Sequence, residues 1–314
     1  MSATPRTESF VHPALFYRGR EEYLAGTVPF VREGLDAGEA VAVAVPGGNL
    51  ALIRDALGER AAQVRLLDMT QAGRNPGRII PRVLRAFADA HPGGRVRIIG
   101  EPIWAGRTST EYPACVQHEA LINLAFQGRE ATILCPYDEA RLSATALADA
   151  HTTHPTIIRS GEQGTSAVYA PAAAVVRYNQ PLTAPDVVPQ ASFMKQSLSE
   201  VRHLAILRAA ELGVPGSRLE DFALVVAELT TNSVVHGGGR GALRIWTEDG
   251  HVVVEVRDAG VLTDPLAGRC PPVGDQRGGR GLLLVHALAD LVRVHTDPAL
   301  GTTTHCYFQY VLRS

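Results

Sequence analysis

Glu228 and Asn232 stand four residues apart in the run Glu-Leu-Thr-Thr-Asn-Ser-Val-Val-His, residues 228–236. On a helix they project from one face, one turn above the other. A carboxylate only accepts hydrogen bonds and an amide oxygen accepts too, so the pair can hold a hard cation or orient a water or hydroxyl. Further on, Val252-Val-Val-Glu-Val256 reads as a strand that delivers Asp258 to a turn. Gly260 there lets a ligand come close to the backbone. Gly278-Gly-Arg-Gly281 then runs into Leu282-Leu-Leu-Leu-Val285. That is the pattern of a loop opening onto a helix N-terminus, where backbone N–H groups favour an anion.

Taken in order, these segments resemble the ATP-binding boxes of the Bergerat (GHKL) fold shared by gyrase, Hsp90, histidine kinases and the anti-sigma-factor serine kinases. Glu228–His236 resembles the N box, Asp258-Ala-Gly260 the first glycine box, and Gly278–Gly281 the second. Gly301-Thr302, ahead of a strand expected at His305–Tyr310, resembles the closing Gly-Thr element. Each piece alone is weak, since Asp-x-Gly occurs in many turns. An amphipathic helix with a hydrated face followed by ordinary loops leaves their order unexplained. The resemblance implies ATP and Mg²⁺ as cofactors. It implies that Glu228 is the catalytic carboxylate activating a hydroxyl or orienting water, and that Asn232 is the Mg²⁺ ligand. Asp258 would accept from the adenine exocyclic amine, with His236, Gly260, Gly279, Arg280, Gly281, Leu282 and Thr302 completing the nucleotide site. The plain alternatives are a solvated Glu228, a turn-capping Asp258 and a solvent-facing Arg280; Thr303 or Thr304 could serve in place of Thr302.

The chain of 314 residues predicts two domains. A hydrophobic content of 46% describes a globular protein with material for real cores. A formal net charge of −2 gives no electrostatic ground for a nucleic-acid or membrane partner. The first nine residues lack the apolar core of a signal peptide. Cys115, Cys135, Cys270 and Cys306 form no Cys-x-x-Cys pair, so a reduced cytoplasmic setting is the expectation.

The proline-bearing stretch Gln180–Gln190 marks a linker, which divides the chain into 10–178, a linker at 179–192, and 193–314. In the second part, helices are expected at Leu198–Leu212, Arg218–His236 and from the Gly-rich loop through Leu291. Strands are expected at Ala242–Thr247, Val252–Arg257, Val292–Thr296 and His305–Val311. That order predicts an α+β sandwich, with helices on one face of a mixed sheet. In the first part, apolar strands at Ala40–Val45, Val64–Leu67, Val96–Ile99 and Ala131–Cys135 alternate with helical patterns at Glu22–Leu35, Leu50–Leu57, Ile79–Ala90, Val116–Phe126 and Glu139–Ala150. Alternation of this kind predicts a parallel α/β sheet. The loop after the first of these strands, Pro46-Gly-Gly-Asn49, is no phosphate loop, and no lysine precedes Lys195.

His12-Pro-Ala-Leu-Phe-Tyr17, Gly100-Glu-Pro-Ile-Trp104, His118-Glu119 and Leu134-Cys-Pro-Tyr137 resemble the MEDS sensory domain. That resemblance implies a RecA-like α/β sensor without a phosphate loop, joined to a GHKL module. His12, Tyr17, Glu101, His118 and Glu119 are its candidate pocket residues, with structural pairing as the alternative. His151 and His154 could chelate a metal, but the sequence offers no evident third ligand and chance spacing is the simpler reading.

The function expected is that of a cytoplasmic bacterial regulator with an N-terminal sensor and an ATP-dependent serine/threonine protein kinase of the anti-sigma-factor type. Its partners would be a sigma factor or an antagonist protein carrying the acceptor hydroxyl, with no direct nucleic-acid or membrane contact; a homodimer is compatible with the resemblance. One alternative is a scaffold that binds ATP and sequesters a partner without phosphotransfer. The other is a divergent histidine kinase, disfavoured because His203 in Glu200-Val-Arg-His-Leu204 lacks the flanking acidic residue and proline of a phospho-accepting histidine.

Overall fold

A computed structural model of the chain describes residues 9–270 and 279–310. It divides into two units: the residues up to Arg74 with Ile79–Tyr178, and Asn75–Arg78 with the residues from Asn179 on. No helix among the described residues is long and apolar enough to cross a membrane.

The N-terminal unit is built on strands β1 (Phe10–Val11), β2 (Pro13–Tyr17), β3 (Ala40–Val45), β4 (Arg65–Asp68), β5 (Val96–Gly100), β6 (Ala131–Asp138), β7 (Thr156–Arg159) and β8 (Glu162–Thr165). Their order is β4-β3-β5-β6-β2-β7-β8, with β1 also on β6. Every pairing is parallel except the β7–β8 hairpin. The helices are α1 (Gly19–Asp36), α2 (Gly47–Leu57), α3 (Met69–Ala72), α4 (Arg85–Asp89), α5 (Tyr112–Ala125), α6 (Ala144–Thr153) and α7 (Pro171–Arg177). The parallel sheet expected from alternating strands and helices is present. The interior strand β2, between β6 and β7, is an addition to the expected strands, as are β1, β7 and β8. Pro13 demotes the segment by pattern, yet proline is tolerated as the first residue of a strand. His12 sits at the break between β1 and β2. The helix expected over 79–90 begins as a π-helical segment, Ile80–Leu84, and becomes α-helical only at Arg85. The one expected over 139–150 starts at Ala144, where the Ser143 hydroxyl caps the Ala146 amide at 3.2 Å.

The C-terminal unit places α8 (Leu198–Glu211), α9 (Gly216–His236) and α10 (Arg280–Leu288) with strands β9 (Ala191–Met194), β10 (Arg240–Glu248), β11 (His251–Asp258), β12 (Leu291–Asp297) and β13 (Gly301–Gln309). The sheet order is β12-β13-β11-β10-β9 and every pair is antiparallel. The expected mixed sheet is thus corrected. Hairpin turns link β10 to β11 and β12 to β13, and short connections of that kind make neighbours antiparallel. Three further differences follow local geometry. The last helix stops at Leu288 rather than Leu291, because Ala289 takes an extended backbone (φ −71°, ψ 149°) before β12 opens. Strand β13 starts at Gly301, so the Gly-Thr segment lies inside it; its expected end at Val311 is outside the described residues. Edge strand β9 begins inside the segment expected to be linker, and at four residues it carries too little pattern to read. The core between helices and sheet takes Phe222, Val225, Val226 and Leu229 from α9 and sets Phe222 edge-on to Phe308 of β13 at 5.1 Å.

Candidate functional site

Helix α9 owes its length to the apolar stripe that faces this core, and a glycine run ends it. The Gly237 amide donates to Ser233 O at 2.9 Å, and Gly238 and Gly239 adopt φ of +87° and +83°, which stops the helix with His236 as its last residue. Glu228 and Asn232 project from the half-buried side, while Ser233, one residue on, is buried. The Ser233 hydroxyl donates to Oδ2 of Asp258 at 2.6 Å, tying α9 to the end of β11. Oδ1 of Asp258 accepts the Gly260 amide at 2.8 Å. Each carboxylate oxygen therefore keeps a lone pair for a further donor.

The small residues around Asp258 are required by space. A Cβ on Gly237 would run into the Asp258 carboxyl. One on Gly260 would lie 2.8 Å from His236 O and 3.0 Å from Oδ1 of Asp258. Gly301, at φ +82°, abuts the Asp258 carbonyl, and any side chain there would collide with it. Thr302 stands opposite Asp258 in the β11–β13 register; its hydroxyl donates to Gly260 O at 2.8 Å and shares a 2.9 Å bond with the Thr296 hydroxyl. Thr303 and Thr304 are buried.

From the other side, Gly279 in a left-handed conformation (φ +87°) precedes α10, whose first-turn amides are free of intrahelical partners. Gly281 presses against α9: a Cβ there would collide with Oε2 of Glu228 and sit 3.8 Å from Nδ2 of Asn232. Four segments distant in sequence thus converge. Glu228 and Asn232 meet Gly281, while Asp258 meets Ser233, Gly260 and Gly301. Arg280 and His236 are exposed at the ends of their helices, Leu282 packs its side chain on the core, and Gly278 lies outside the described residues. Ser233, Gly237 and Thr296 join the site without having been singled out by the sequence pattern. A small polar residue on the buried stripe of α9 was the available signal for Ser233.

The donor set fits a magnesium-bound adenine nucleotide. It offers an acceptor carboxylate beside a glycine cradle, an amide and a carboxylate one turn apart, and a helix N-terminus facing them.

The five candidates in the N-terminal unit separate. Glu101 is buried and accepts from Nδ2 of Asn49 at 3.0 and 2.9 Å and from the Tyr23 hydroxyl at 3.3 Å. Burial pushes its carboxyl up to about 8. Tyr17 tilts against Tyr23 with ring centres 4.8 Å apart, and burial raises its hydroxyl well above the ordinary tyrosine value. Asn49, where a phosphate loop would sit, is thereby committed to a buried carboxyl, a poor neighbour for phosphate. His12 and Glu119 meet elsewhere, Nε2 to Oε2 at 3.3 Å. Burial, and next the adjacent His154, pushes the His12 imidazole down to about 4. His118 is buried on α5 beside Glu119 in sequence. Tyr23, Asn49, Cys135 and His154 are members of these groupings that sequence reasoning did not assign to them.

Comparison with known proteins matches both halves. Residues 11–155 match the family model of MEDS, the methanogen/methylotroph DcmR sensory domain, and residues 192–307 that of the histidine kinase-like ATPase domain. Over 107 residues the chain is 31% identical to an anti-sigma F factor of Pasteuria penetrans, covering 31% of this chain and 71% of that one. Over 128 residues it is 27% identical to an anti-sigma F factor of Bacillus licheniformis, covering 37% and 86% respectively. A crystal structure of the RsbU and RsbW domains of a Mycobacterium tuberculosis protein is similar at 21% identity and a TM-score of 0.28, over 39% of this chain and 32% of that one.

Proposed function

The chain belongs, through its C-terminal domain, to the family of the anti-sigma F factors, and we infer that it is an ATP-dependent serine/threonine protein kinase that controls a sigma factor through an antagonist protein. The observation that carries this reading is the convergence of Glu228, Asn232 and Gly281 on one side and Asp258, Gly260 and Thr302 on the other, in the family to which the ATPase-like domain belongs.

Each residue then has a task that its position permits. Asp258 accepts from the adenine amine with the lone pairs left over from Ser233 and Gly260. Asn232 offers its amide oxygen to Mg²⁺, which needs few protein ligands. The first-turn amides of α10, with Arg280 beside them, bind phosphate oxygens. Glu228 sits one turn from Asn232 and takes the proton of the acceptor hydroxyl as it attacks. Mg-ATP, when bound, supplies the transferable phosphoryl group. The N-terminal unit, matching a sensory-domain family, supplies the signal input in this reading, and its kinship to RecA-like folds is supported by its largely parallel sheet.

The test is transfer of labelled phosphate from Mg-ATP to a serine or threonine of an antagonist protein. Transfer lost in Glu228→Gln with ATP binding retained supports the kinase. ATP binding with partner control unchanged in Glu228→Gln and no transfer would replace it with a nucleotide-gated scaffold.

A further inference from the structure

Four side chains of the N-terminal unit bring their ligand-capable atoms to one buried place. They are His12 at the break before β2, Glu119 on α5, Cys135 in β6, and His154 just past α6. None is more than 1% exposed. The four ligand atoms lie within 4.8 Å of one another. Nε2 of His12 and Nε2 of His154 stand 3.3 and 3.4 Å from Oε2 of Glu119. Sγ of Cys135 is 3.4 Å from His12 Nε2 and 3.5 Å from the same carboxylate oxygen.

Counting hydrogens exposes the problem this cluster poses to itself. The Asn123 amide nitrogen donates to Glu119 O, Ala120 O and Thr153 O at 3.3, 3.2 and 2.9 Å, which turns Oδ1 toward Nδ1 of His12 at 3.1 Å. Oδ1 only accepts, so Nδ1 carries the hydrogen and Nε2 of the neutral ring is a bare lone pair. Ala150 O, 2.9 Å from Nδ1 of His154, fixes the same tautomer there. Two lone pairs then face one carboxylate oxygen in buried surroundings, where the hydrogens at hand are the Cys135 thiol's and that of the buried Tyr137 hydroxyl beside Glu119, and neither can serve both rings and the carboxylate. Nε2 of His154 and Oε1 of Glu119 make no hydrogen bond. Protonating both rings instead would bury a net positive charge, which is costly.

A cation resolves it. Tetrahedral zinc with bonds of about 2.0–2.2 Å to nitrogen and oxygen and about 2.3 Å to sulfur sets ligand–ligand edges of roughly 3.3–3.4 Å for N–O and roughly 3.5–3.6 Å where sulfur takes part. Four of the six observed edges, 3.3 and 3.4 Å against 3.4 and 3.5 Å, follow that pattern, and the two between His154 and the His12 and Cys135 atoms are within 4.8 Å. A thiolate and a carboxylate neutralise a dication, so the occupied site buries no net charge. Imidazole and thiolate ligands favour zinc-type metals over Mg²⁺ or Ca²⁺. Asn123 and Ala150 do what outer partners of metal-bound histidines do: they fix the ring and leave Nε2 to the metal. His151 does not join, since its ring stacks on Phe16 at 4.9 Å.

We propose that His12, Glu119, Cys135 and His154 form a closed tetrahedral site for a zinc-type divalent cation in the N-terminal domain. Binding converts M²⁺, the thiol, the carboxylate and two neutral imidazoles into a neutral complex and one released proton. The site ties the start of β2 to α5, β6 and the end of α6, and it stands independently of the kinase reading.

The experiment uses the full chain, purified with reductant, its metal content measured by elemental analysis, then stripped with chelator and titrated with Zn²⁺ or Co²⁺. The expected results are uptake of one equivalent, a thiolate-to-cobalt charge-transfer band with intense tetrahedral visible bands, and a lower melting temperature after stripping. Cys135→Ser should lose the charge-transfer band. His12→Gln with His154→Gln should weaken uptake by more than the roughly 100-fold that losing an outer partner costs. Where a variant does not fold, the wild type decides alone. A folded wild type that takes up neither ion stoichiometrically overturns the site, leaving a proton-shared network; so does cobalt bound without a thiolate band, or uptake unchanged in the folded double variant.

Discussion

Asp258→Asn separates nucleotide recognition from structural support. In the wild type, Ser233 donates to Oδ2 at 2.6 Å and Gly260 N–H to Oδ1 at 2.8 Å. The Gly260 amide can only donate, so the asparagine oxygen must remain on it. The new NH₂ then faces Ser233, whose hydroxyl can reverse and accept. The internal network survives with neutral bonds in place of charge-assisted ones, at about 1–2 kcal/mol of domain stability. For an adenine amine seated at the Oδ2 position the outcome is worse, because a donor now meets a donor. Loss of a charge-assisted bond plus the unpaired group amounts to about 2–4 kcal/mol, or roughly 30- to 700-fold in Kd. The same NH₂ suits the carbonyl of guanine, so the ratio of GTP to ATP affinity should rise at least about tenfold, one hydrogen bond's worth. Calorimetric titration of Mg-ATP and Mg-GTP into both proteins measures this, with thermal melts reporting the fold. An Asp258→Asn protein that binds ATP within about threefold of wild type, or that weakens both nucleotides equally, refutes the placement of adenine at Asp258.

Gly281→Ala should push the Glu228 carboxyl aside, and a displacement of about 1 Å lowers a positioned reaction by roughly 100-fold; phosphotransfer should drop while calorimetric ATP affinity changes little. Gly301→Ala meets both a left-handed backbone and the Asp258 carbonyl, so the C-terminal domain should lose about 3 kcal/mol or more by denaturant unfolding. Glu101 keeps its proton in the folded protein up to about 8 but releases it near 4.5 when unfolded, so the folded state binds the extra proton and N-terminal stability falls as pH rises across that window, levelling above it. Glu101→Gln should flatten the slope in urea midpoints taken below, within and above it. Arg218→Ala removes bonds to Leu288 O at 2.7 Å, Asp221 at 2.6 Å and Asp290 at 3.1 Å, together with the guanidinium 5.6 Å from the Phe308 ring centre; about 2–3 kcal/mol of C-terminal stability should go with them, read from the same unfolding curves.

The elements most legible in the sequence were those whose own residues state their environment. Ala40–Val45 is apolar throughout because a strand inside a parallel sheet is buried on both faces, and α9 declares itself by its stripe. What escaped was decided elsewhere in the chain. Strand β2 is interior because β6 and β7 flank it, and nothing in a segment containing Pro13 announces that. The antiparallel order of the C-terminal sheet follows from how its turns join the strands, while strand patterning alone is compatible with either direction.

The two sites differ for the same reason. The candidate nucleotide site repeats backbone requirements within short runs: glycine where Asp258 or Glu228 crowds the chain, and a carboxylate and amide one helical turn apart. Those short runs, taken in order, carry the resemblance to the ATP-binding boxes. The buried cluster takes one residue from each of four separate elements, and its meaning lies in which hydrogen each nitrogen carries. His151 and His154, three apart, read most simply as chance spacing, and the ring that meets His154 comes from residue 12, across β2 and β6. At this site, proximity along the chain carries no signal for the partner, and the tautomers set by Asn123 and Ala150 single out the Nε2 atoms.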